Sequence, residues 1–271
     1  MDNEAAKIDS HGLTHVGIVR EDNQDSIQLP KATDPRDTHG ELYAVADGMG
    51  GYTHGGLASS IALKTLYETF YAEKPGNTPA ALRSGVQSAN LNIFKAAQKL
   101  GVSRMGTTLT AAHLSDDSLT IAHVGDSRIY LIRDGVSKCL TNDHSQVGEM
   151  VRMRILAPDK LRTHANRSIL NRCLGLELFV QPDIVQISVQ PDDRLILCTD
   201  GVWAVIEDDE FADLAVRTPD VDTLSGAILD LAMKRETDDN ISVIAVHIRE
   251  VTVNGREPRR GLLRRVFSAR S

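Results

Sequence analysis

Residues 118–136 read SLTIAHVGDSRIYLIRDGV, and this stretch decides the expected fold. Apolar and β-branched residues fill 118–124 and 128–133, which predicts two strands, and Gly125-Asp126-Ser127 predicts the turn between them. The pair Asp134-Gly135 then gives a strong signal for a second hairpin. Consecutive hairpins produce antiparallel strands, so the sequence argues against a doubly wound parallel sheet.

Similar patterns recur on both sides of this stretch. Further strands are predicted over 13–19, 41–47, 106–114, 183–189, 194–200 and 241–248. Helical spacing of apolar residues predicts helices over 57–70, 82–100 and 222–235, and Gly101 can cap the second. Two sheets packed face to face, with helices outside, would bury both the strand faces and the helix stripes. We therefore predict an α+β fold, a four-layer αββα sandwich of two mostly antiparallel sheets flanked by helices.

The length and composition favour one domain. The chain has 271 residues, 41% of them hydrophobic, and no Pro/Gly/Ser-rich segment divides it. We expect residues 1–251 to form this domain, with the arginine-rich stretch 145–175 as a partly helical flap over a phosphorylated substrate. The sequence has no signal-peptide pattern and no apolar run long enough for a membrane span, so we expect a cytoplasmic protein. We also expect a monomer.

The charge distribution separates the C-terminal end from the rest of the chain. The formal net charge is −7, yet residues 252–271 contain six arginines and one glutamate. The acidic body argues against general binding of nucleic acid. We expect 252–271 to be a flexible basic tail, which could contact an acidic partner or an anionic membrane surface.

Three aspartates stand at the ends of predicted strands. Asp47 and Asp200 each follow an apolar strand and precede a glycine, and Asp239 comes just before the strand over 241–248. Two carboxylates about 5 Å apart repel by roughly 3 kcal/mol at an effective dielectric constant of about 20. A cation is therefore expected between them, and hard oxygen ligands favour Mg²⁺ or Mn²⁺.

Other motifs are weak when each is taken alone. Arg20 has the planar donors that suit a phosphate, but an isolated arginine after a strand is more often a surface residue. The glycine-rich turn 47–51 matches neither of the common nucleotide-binding loops. The Gly125-Asp126-Ser127 turn could equally be structural.

Together, in order over about residues 12–249, these segments resemble the metal-dependent protein serine/threonine phosphatases of type 2C, and most closely their compact bacterial members. The matching segments are Arg20 with Asn23-Gln24-Asp25, Asp47-Gly48-Met49-Gly50-Gly51, Gly106-Thr107-Thr108, Gly125-Asp126-Ser127-Arg128, Asp143-His144-Ser145, Leu174-Gly175, Thr199-Asp200-Gly201-Val202-Trp203 and Asp239-Asn240.

The resemblance implies two Mn²⁺ or Mg²⁺ ions at one end of the sandwich, bridged by a water molecule. By motif position, Asp47 would bridge both ions and the carbonyl group of Gly48 would bind one of them. Asp200 and Asp239 would complete the shell of the first ion. Asp25 would hold metal-bound water in the shell of the second.

The resemblance also implies the remaining roles. Asp126, with Asp200, would bind a third, weaker ion, and Arg20 would hold the substrate phosphate while the bridging hydroxide attacks phosphorus in line. Met49 stands where eukaryotic relatives carry a histidine that is a candidate general acid, and methionine cannot donate a proton. Tyr52 stands where bacterial relatives often have histidine.

The expected function is therefore a protein phosphatase that hydrolyses phosphoserine and phosphothreonine, opposing a bacterial Ser/Thr kinase. The alternative is a non-catalytic module that keeps the fold and binds phosphoproteins. A phosphatase with an aspartyl nucleophile would need an Asp-x-Asp pair, and the sequence has Asp47-Gly48-Met49 at the corresponding place.

Overall fold

The computed structural model describes residues 7–49 and 54–251. The strands are β1 (Ile8–His15), β2 (Asp25–Gln28), β3 (Glu41–Met49), β4 (Gly106–Thr107), β5 (Leu109–Ser115), β6 (Ser118–Val124), β7 (Arg128–Arg133), β8 (Val136–Cys139), β9 (Asp183–Ser188), β10 (Arg194–Cys198) and β11 (Ile241–Ile248). The helices are α1 (Arg36–His39), α2 (His54–Ala72), α3 (Thr78–Leu100), α4 (Gln146–Arg152), α5 (Asp200–Trp203), α6 (Glu210–Arg217) and α7 (Val221–Lys234), with a 3₁₀ turn at Pro158–Lys160. Tyr52 and the predicted tail lie outside the described residues.

Two antiparallel sheets form the centre of the molecule. The first has the strand order β1-β11-β10-β7-β8, and the second has the order β2-β3-β5-β6-β9, with β4 paired to β3. Apolar residues of both sheets meet in one core layer; these include Tyr43, Leu119, Ile129, Leu197 and Ile244. Because alternate residues of a strand face opposite sides, the outer face of each sheet needs its own cover.

Helices supply that cover on both sides. α2 and α3 pack on the outer face of the second sheet, and α5, α6 and α7 pack on the outer face of the first. The order of layers is therefore helices, sheet, sheet, helices. This arrangement confirms the predicted α+β sandwich of four layers.

The long helix α3 follows directly from local signals. The Asn77 side chain accepts a hydrogen bond from the backbone N–H of Ala80, and Gly101 ends the helix in a left-handed conformation with φ of 69°. Leu82 and Ile93 lie on its fully buried face. Each such side chain contributes roughly 1.5–3 kcal/mol relative to an exposed one. The predicted cap at Gly101 is confirmed.

Several predicted boundaries are wrong. The first strand ends at His15, so residues 16–19 are not strand. Gly17 turns the chain there with φ of +82°, and a β-carbon at this position would come within 2.3 Å of the Asp239 carbonyl oxygen. The short strand β2 and the short helices α5 and α6 carry too few periodic residues to be predicted from spacing.

Arginines attach the stretch 145–175 to the rest of the molecule. It contains α4 and the 3₁₀ turn. Arg162 donates to the carbonyl groups of Trp203 and Ile206, at 2.8 and 3.2 Å, and forms a 2.6 Å ion pair with Asp208. None of the helices described over 7–49 and 54–251 combines the length and apolar character that crossing a membrane requires.

Candidate metal centre

The centre begins where β2 and β3 run side by side. Asp25 and Asp47 are direct partners in this antiparallel pair, so the strand register places them next to each other. The backbone N–H of Asp47 donates to the Thr108 hydroxyl at 2.9 Å, and the Thr107 hydroxyl donates to the Asp47 carbonyl at 2.8 Å. These bonds fix the backbone of Asp47 at the end of the second sheet.

Gly48 continues the same strand in a space that admits only glycine. A β-carbon here would come within 2.1 Å of the Gly55 carbonyl oxygen at the start of α2. The backbone N–H of Gly48 donates to the Gln24 carbonyl at 3.2 Å. The close approach of three backbone segments leaves this edge without side-chain bulk, which suits a backbone carbonyl as an ion ligand.

The first sheet contributes the other two carboxylates. Asp200 is the first residue of α5 and lies two residues after the end of β10. Asp239 lies two residues before β11, which pairs with β10. Asp239 Oδ1 accepts from the backbone N–H of Asn240 at 2.8 Å. Asp200 Oδ1 is buried and has no hydrogen-bond partner among the described residues. A buried carboxylate oxygen without a donor is costly unless a cation accompanies it.

These side chains meet in one cavity of about 740 Å³. Its lining includes Arg20, Asp47, Gly48, Asp126, Asp200 and Asp239. The cavity therefore brings together six of the seven residues that the sequence analysis singled out. Asp25 is not among the described residues that line the cavity. It is buried behind the cavity wall, where it accepts a 2.8 Å hydrogen bond from the Thr199 hydroxyl.

Crowding changes the acidity of these groups. Burial raises the pKa of Asp25 to about 7 and that of Asp200 to about 6, with repulsion from Asp239 as the next cause at Asp200. Burial, followed by repulsion from Asp200, raises the pKa of Asp47 and of Asp126 well above the ordinary range. The cluster therefore retains protons in the absence of a cation, and a cation would replace them.

Arg20 stands at the mouth of the cavity and is already engaged with the acidic cluster. Its Nη2 lies 2.7 Å from Asp239 Oδ2, and its Nε donates to the Asp238 carbonyl at 3.1 Å. Its side chain remains 52% exposed. The guanidinium group thus has free donors directed to solvent and is accessible to a phosphate at the cavity mouth.

The donor set fits Mn²⁺ or Mg²⁺ better than a softer ion. It consists of carboxylate and carbonyl oxygens, and it includes the unpaired Asp200 Oδ1. Within residues 7–49 and 54–251, no three or more His, Cys, Asp and Glu side chains are gathered as a ready-made cage for one ion. Asp25 and Asp239 instead face Thr199 and Arg20, so the carboxylates are spread around a cavity large enough for more than one hydrated ion.

A buried network behind Asp126 was missed by the sequence analysis. The Trp203 indole N–H donates to the Asp126 carbonyl at 2.9 Å, and the Arg128 guanidinium stacks 3.8 Å from the centre of the Trp203 ring. Arg128 also forms two hydrogen bonds to Asp143, at 2.9 and 2.7 Å. In the sequence, only the motifs Gly125-Asp126-Ser127-Arg128 and Asp143-His144 indicated this network. Their spacing along the chain did not predict that Arg128 and Asp143 are in contact.

Asn240 and His144 have structural roles. The Asn240 amide donates to the carbonyls of Val16 and Asp22, at 2.8 and 3.0 Å, and thereby holds the loop that carries Arg20. His144 Nδ1 accepts from the backbone N–H of Gly125 at 3.1 Å, so its proton lies on Nε2, 3.2 Å from Asp183. Burial lowers the pKa of His144, which favours this neutral form.

This fold and this acidic cavity define a hydrolase of the metal-dependent phosphatase class. The family Protein phosphatase 2C matches residues 10–241. The chain is 31% identical to the serine/threonine phosphatase stp of Listeria monocytogenes over 249 residues, which cover 90% of this chain and 97% of that protein.

Solved structures agree with this assignment. Stp1 from Staphylococcus aureus superposes with a TM-score of 0.83 at 28% identity, covering 89% of this chain and 95% of that one. The catalytic domain of the phosphatase PstP in complex with two manganese ions superposes with a TM-score of 0.77 at 28% identity, covering 89% and 97%. The chain belongs to the protein phosphatase 2C family, which confirms the resemblance and the predicted enzyme class, a protein serine/threonine phosphatase.

Proposed function

We propose that the protein removes phosphate from phosphoserine and phosphothreonine with Mn²⁺ or Mg²⁺ held in the acidic cavity. The observation that carries this proposal is the convergence of carboxylates from both sheets in one cavity, where Asp200 Oδ1 has no partner among the described residues. The relative crystallised with two manganese ions supports the same number of core ions here. The non-catalytic alternative is not favoured, because the full set of expected carboxylates is present.

The proposed ligands divide between the two sheets. Asp47, at the end of β3, would hold both ions, and the Gly48 carbonyl would hold one of them. Asp200 and Asp239 would complete the shell of the first ion from the other sheet. Asp25, which its hydrogen bond from the Thr199 hydroxyl already orients, would hold water in the shell of the second ion. Asp126, with Asp200, would bind a third ion.

The chemistry then depends on how this chain orients phosphate and protons. When bound, the ions lower the pKa of a water molecule, so that hydroxide for attack on phosphorus is available near neutral pH. Arg20 would donate to two phosphate oxygens, and its contact with Asp239 keeps the guanidinium aimed over the cavity. Met49 lines the cavity but has no proton to give, so we propose that water protonates the leaving alkoxide.

We further propose the biological setting that the sequence analysis anticipated. The protein would act as a cytoplasmic monomer on phosphoproteins generated by a bacterial Ser/Thr kinase. The stretch 145–175, attached through Arg162 and Arg167, would serve as a flap at the cavity mouth. The basic tail 252–271 would contact an acidic partner or a membrane surface without contributing to turnover.

The test is hydrolysis of a phosphothreonine peptide. The purified protein with Mn²⁺ should release phosphate, EDTA should stop the reaction, and added Mn²⁺ should restore it. Asp239→Asn should abolish turnover, whereas Asp117→Asn, which changes an exposed carboxylate in the β5–β6 turn, should not. Full activity of Asp239→Asn, or full activity in EDTA, would refute the proposed centre.

A further inference from the structure

A short loop near the cavity exposes three large apolar side chains within four residues. Residues 176–179 read Leu-Glu-Leu-Phe, and the exposed fractions are 45% for Leu176, 49% for Leu178 and 77% for Phe179. Single exposed apolar residues are common on protein surfaces, but three within four residues concentrate apolar surface in one loop. Such a patch on a soluble surface usually marks a contact site.

The backbone of this loop is fixed, although its side chains are exposed. The amide of Asn90, itself fully buried in α3, donates to the carbonyls of Glu177 and Leu178 at 2.9 and 3.1 Å. The same amide accepts from the backbone N–H of Gly175 at 2.8 Å. One buried side chain thus holds the backbone of three residues of the loop, Gly175, Glu177 and Leu178.

Both ends of the loop are also anchored. Gly175 has φ of +92°, and a β-carbon on it would come within 2.4 Å of the Ile93 side chain. Gln87 donates to the carbonyl of Val180, which is buried. The loop is therefore held in one conformation, so binding a ligand would cost the protein little conformational entropy.

The patch begins close to the edge of the cavity. The position that a β-carbon on Gly106 would occupy lies 3.5 Å from Leu176 Cγ and 3.5 Å from Met49 Cγ. The side chains of Leu176 and Met49 are therefore both neighbours of Gly106, and Met49 lines the cavity. Leu178 and Phe179 follow Leu176 in the same anchored loop.

We propose that this patch, the side chains of Leu176, Leu178 and Phe179, is a specificity site that binds a large apolar residue of the substrate close to the phosphorylated residue. The inference rests on the proposed function and names a substrate class for it. The occupant follows from position. A protein substrate whose phosphate enters the cavity must lay its flanking residues on the cavity rim, and Gly106 adjoins both Met49, which lines the cavity, and Leu176 of the patch. The cavity itself is acidic and would not accept an apolar side chain.

The test compares phosphopeptides that differ at one flanking position. A phosphothreonine peptide carries one leucine at each position within four residues of the phosphothreonine in turn, against serine at the same position. The wild-type protein should show a value of kcat/KM at least about tenfold higher for leucine at one or two positions, which corresponds to burying part of one apolar side chain. Equal values at every position would overturn the proposal.

Variants then locate the preference. Phe179→Ser and Leu178→Ser should each bring the leucine-to-serine ratio of kcat/KM toward one; because the ratio is taken within one variant, differences in active fraction cancel. Val216→Ser, which changes an apolar side chain that is 72% exposed on α6, should retain the wild-type ratio. A preference that survives both loop variants would overturn the assignment to this patch.

Two further outcomes are decisive. If a second copy of the chain covers the patch, sedimentation will show a dimer that Phe179→Ser converts to a monomer, and the proposal fails. If the wild-type protein hydrolyses neither these peptides nor p-nitrophenyl phosphate, the proposed function itself fails. Hydrolysis of all peptides without an apolar preference would leave the phosphatase function intact and reject only the specificity site.

Discussion

Asp200→Asn should make the metal-free protein more stable at alkaline pH. The pKa of Asp200 is raised from 3.8 to about 6, chiefly by burial and then by Asp239. Because the pKa of Asp200 is higher in the folded state than in the unfolded state, ionising this carboxyl destabilises the fold. This cost grows as the pH rises above the unfolded pKa and is complete above the folded pKa of about 6. At pH 8 the ionised group therefore costs about 3 kcal/mol of folding free energy, which asparagine avoids.

The measurement is urea unfolding in EDTA at pH 8 and at pH 4.5, followed by the fluorescence of Trp203. This residue is the only tryptophan in the chain and is buried behind the cavity. The variant should gain about 3 kcal/mol at pH 8 and far less at pH 4.5, where the wild-type carboxyl is mostly protonated. Asp117→Asn, at an exposed site, should change stability by less than about 0.5 kcal/mol. A loss of stability at pH 8, or an equal gain at both values of pH, would refute the electrostatic reasoning.

Three other changes test separate parts of the structure. Burial lowers the pKa of His123 to about 4, so its own contribution to the free energy of unfolding should fall by up to about 3 kcal/mol as the pH drops from 6.5 to about 4, because only the unfolded state takes up its proton readily. The stability of the wild type minus that of His123→Gln should fall by this amount over the same range, and a difference that does not change with pH would count against this reading. Gly48→Ala should lower the free energy of unfolding, measured in urea, by about 3 kcal/mol or more, because the new β-carbon would come within 2.1 Å of the Gly55 carbonyl oxygen. Gly226→Ala is the control: Gly226 lies in α7 with open space around it, so this change should be neutral or stabilising. Arg20→Lys should lower kcat/KM for a phosphothreonine peptide about tenfold or more, since lysine keeps the charge but loses the planar fork; kinetics equal to wild type would exclude Arg20 as the phosphate ligand.

The sequence predicted the layers of this fold because its elements are strongly periodic. β6, β7 and β11 have the predicted bounds, and α3 ends at the predicted cap. The turn at Gly17 was missed, because Val16, Ile18 and Val19 continue the apolar pattern of the strand. What stops the strand is a tertiary contact, the approach of Gly17 to the Asp239 carbonyl, which local sequence does not contain.

The site was predictable in its residue types and less so in its geometry. Strand-end positions and an electrostatic argument pointed to Asp47, Asp200 and Asp239, whereas Asp25 entered only through resemblance. Its position beside Asp47 depends on the register of β2, a strand of four residues. Likewise, Asn90 reads as an ordinary polar residue of a long helix, and only the packed structure shows that it holds the apolar loop.

Calorimetric titration of the metal-free protein with Mn²⁺ shows directly whether Asp47 and its neighbours bind divalent ions. The wild-type protein should bind at least two ions per chain and release protons at pH 7, because burial raises the pKa of Asp25 to about 7 and this carboxyl is partly protonated when no ion is present. Asp47→Asn should lose tight binding, and Asp117→Asn should bind as the wild type does. If Asp47→Asn binds the same number of Mn²⁺ ions with unchanged affinity, Asp47 is not a ligand of these ions and the proposed metal centre is wrong.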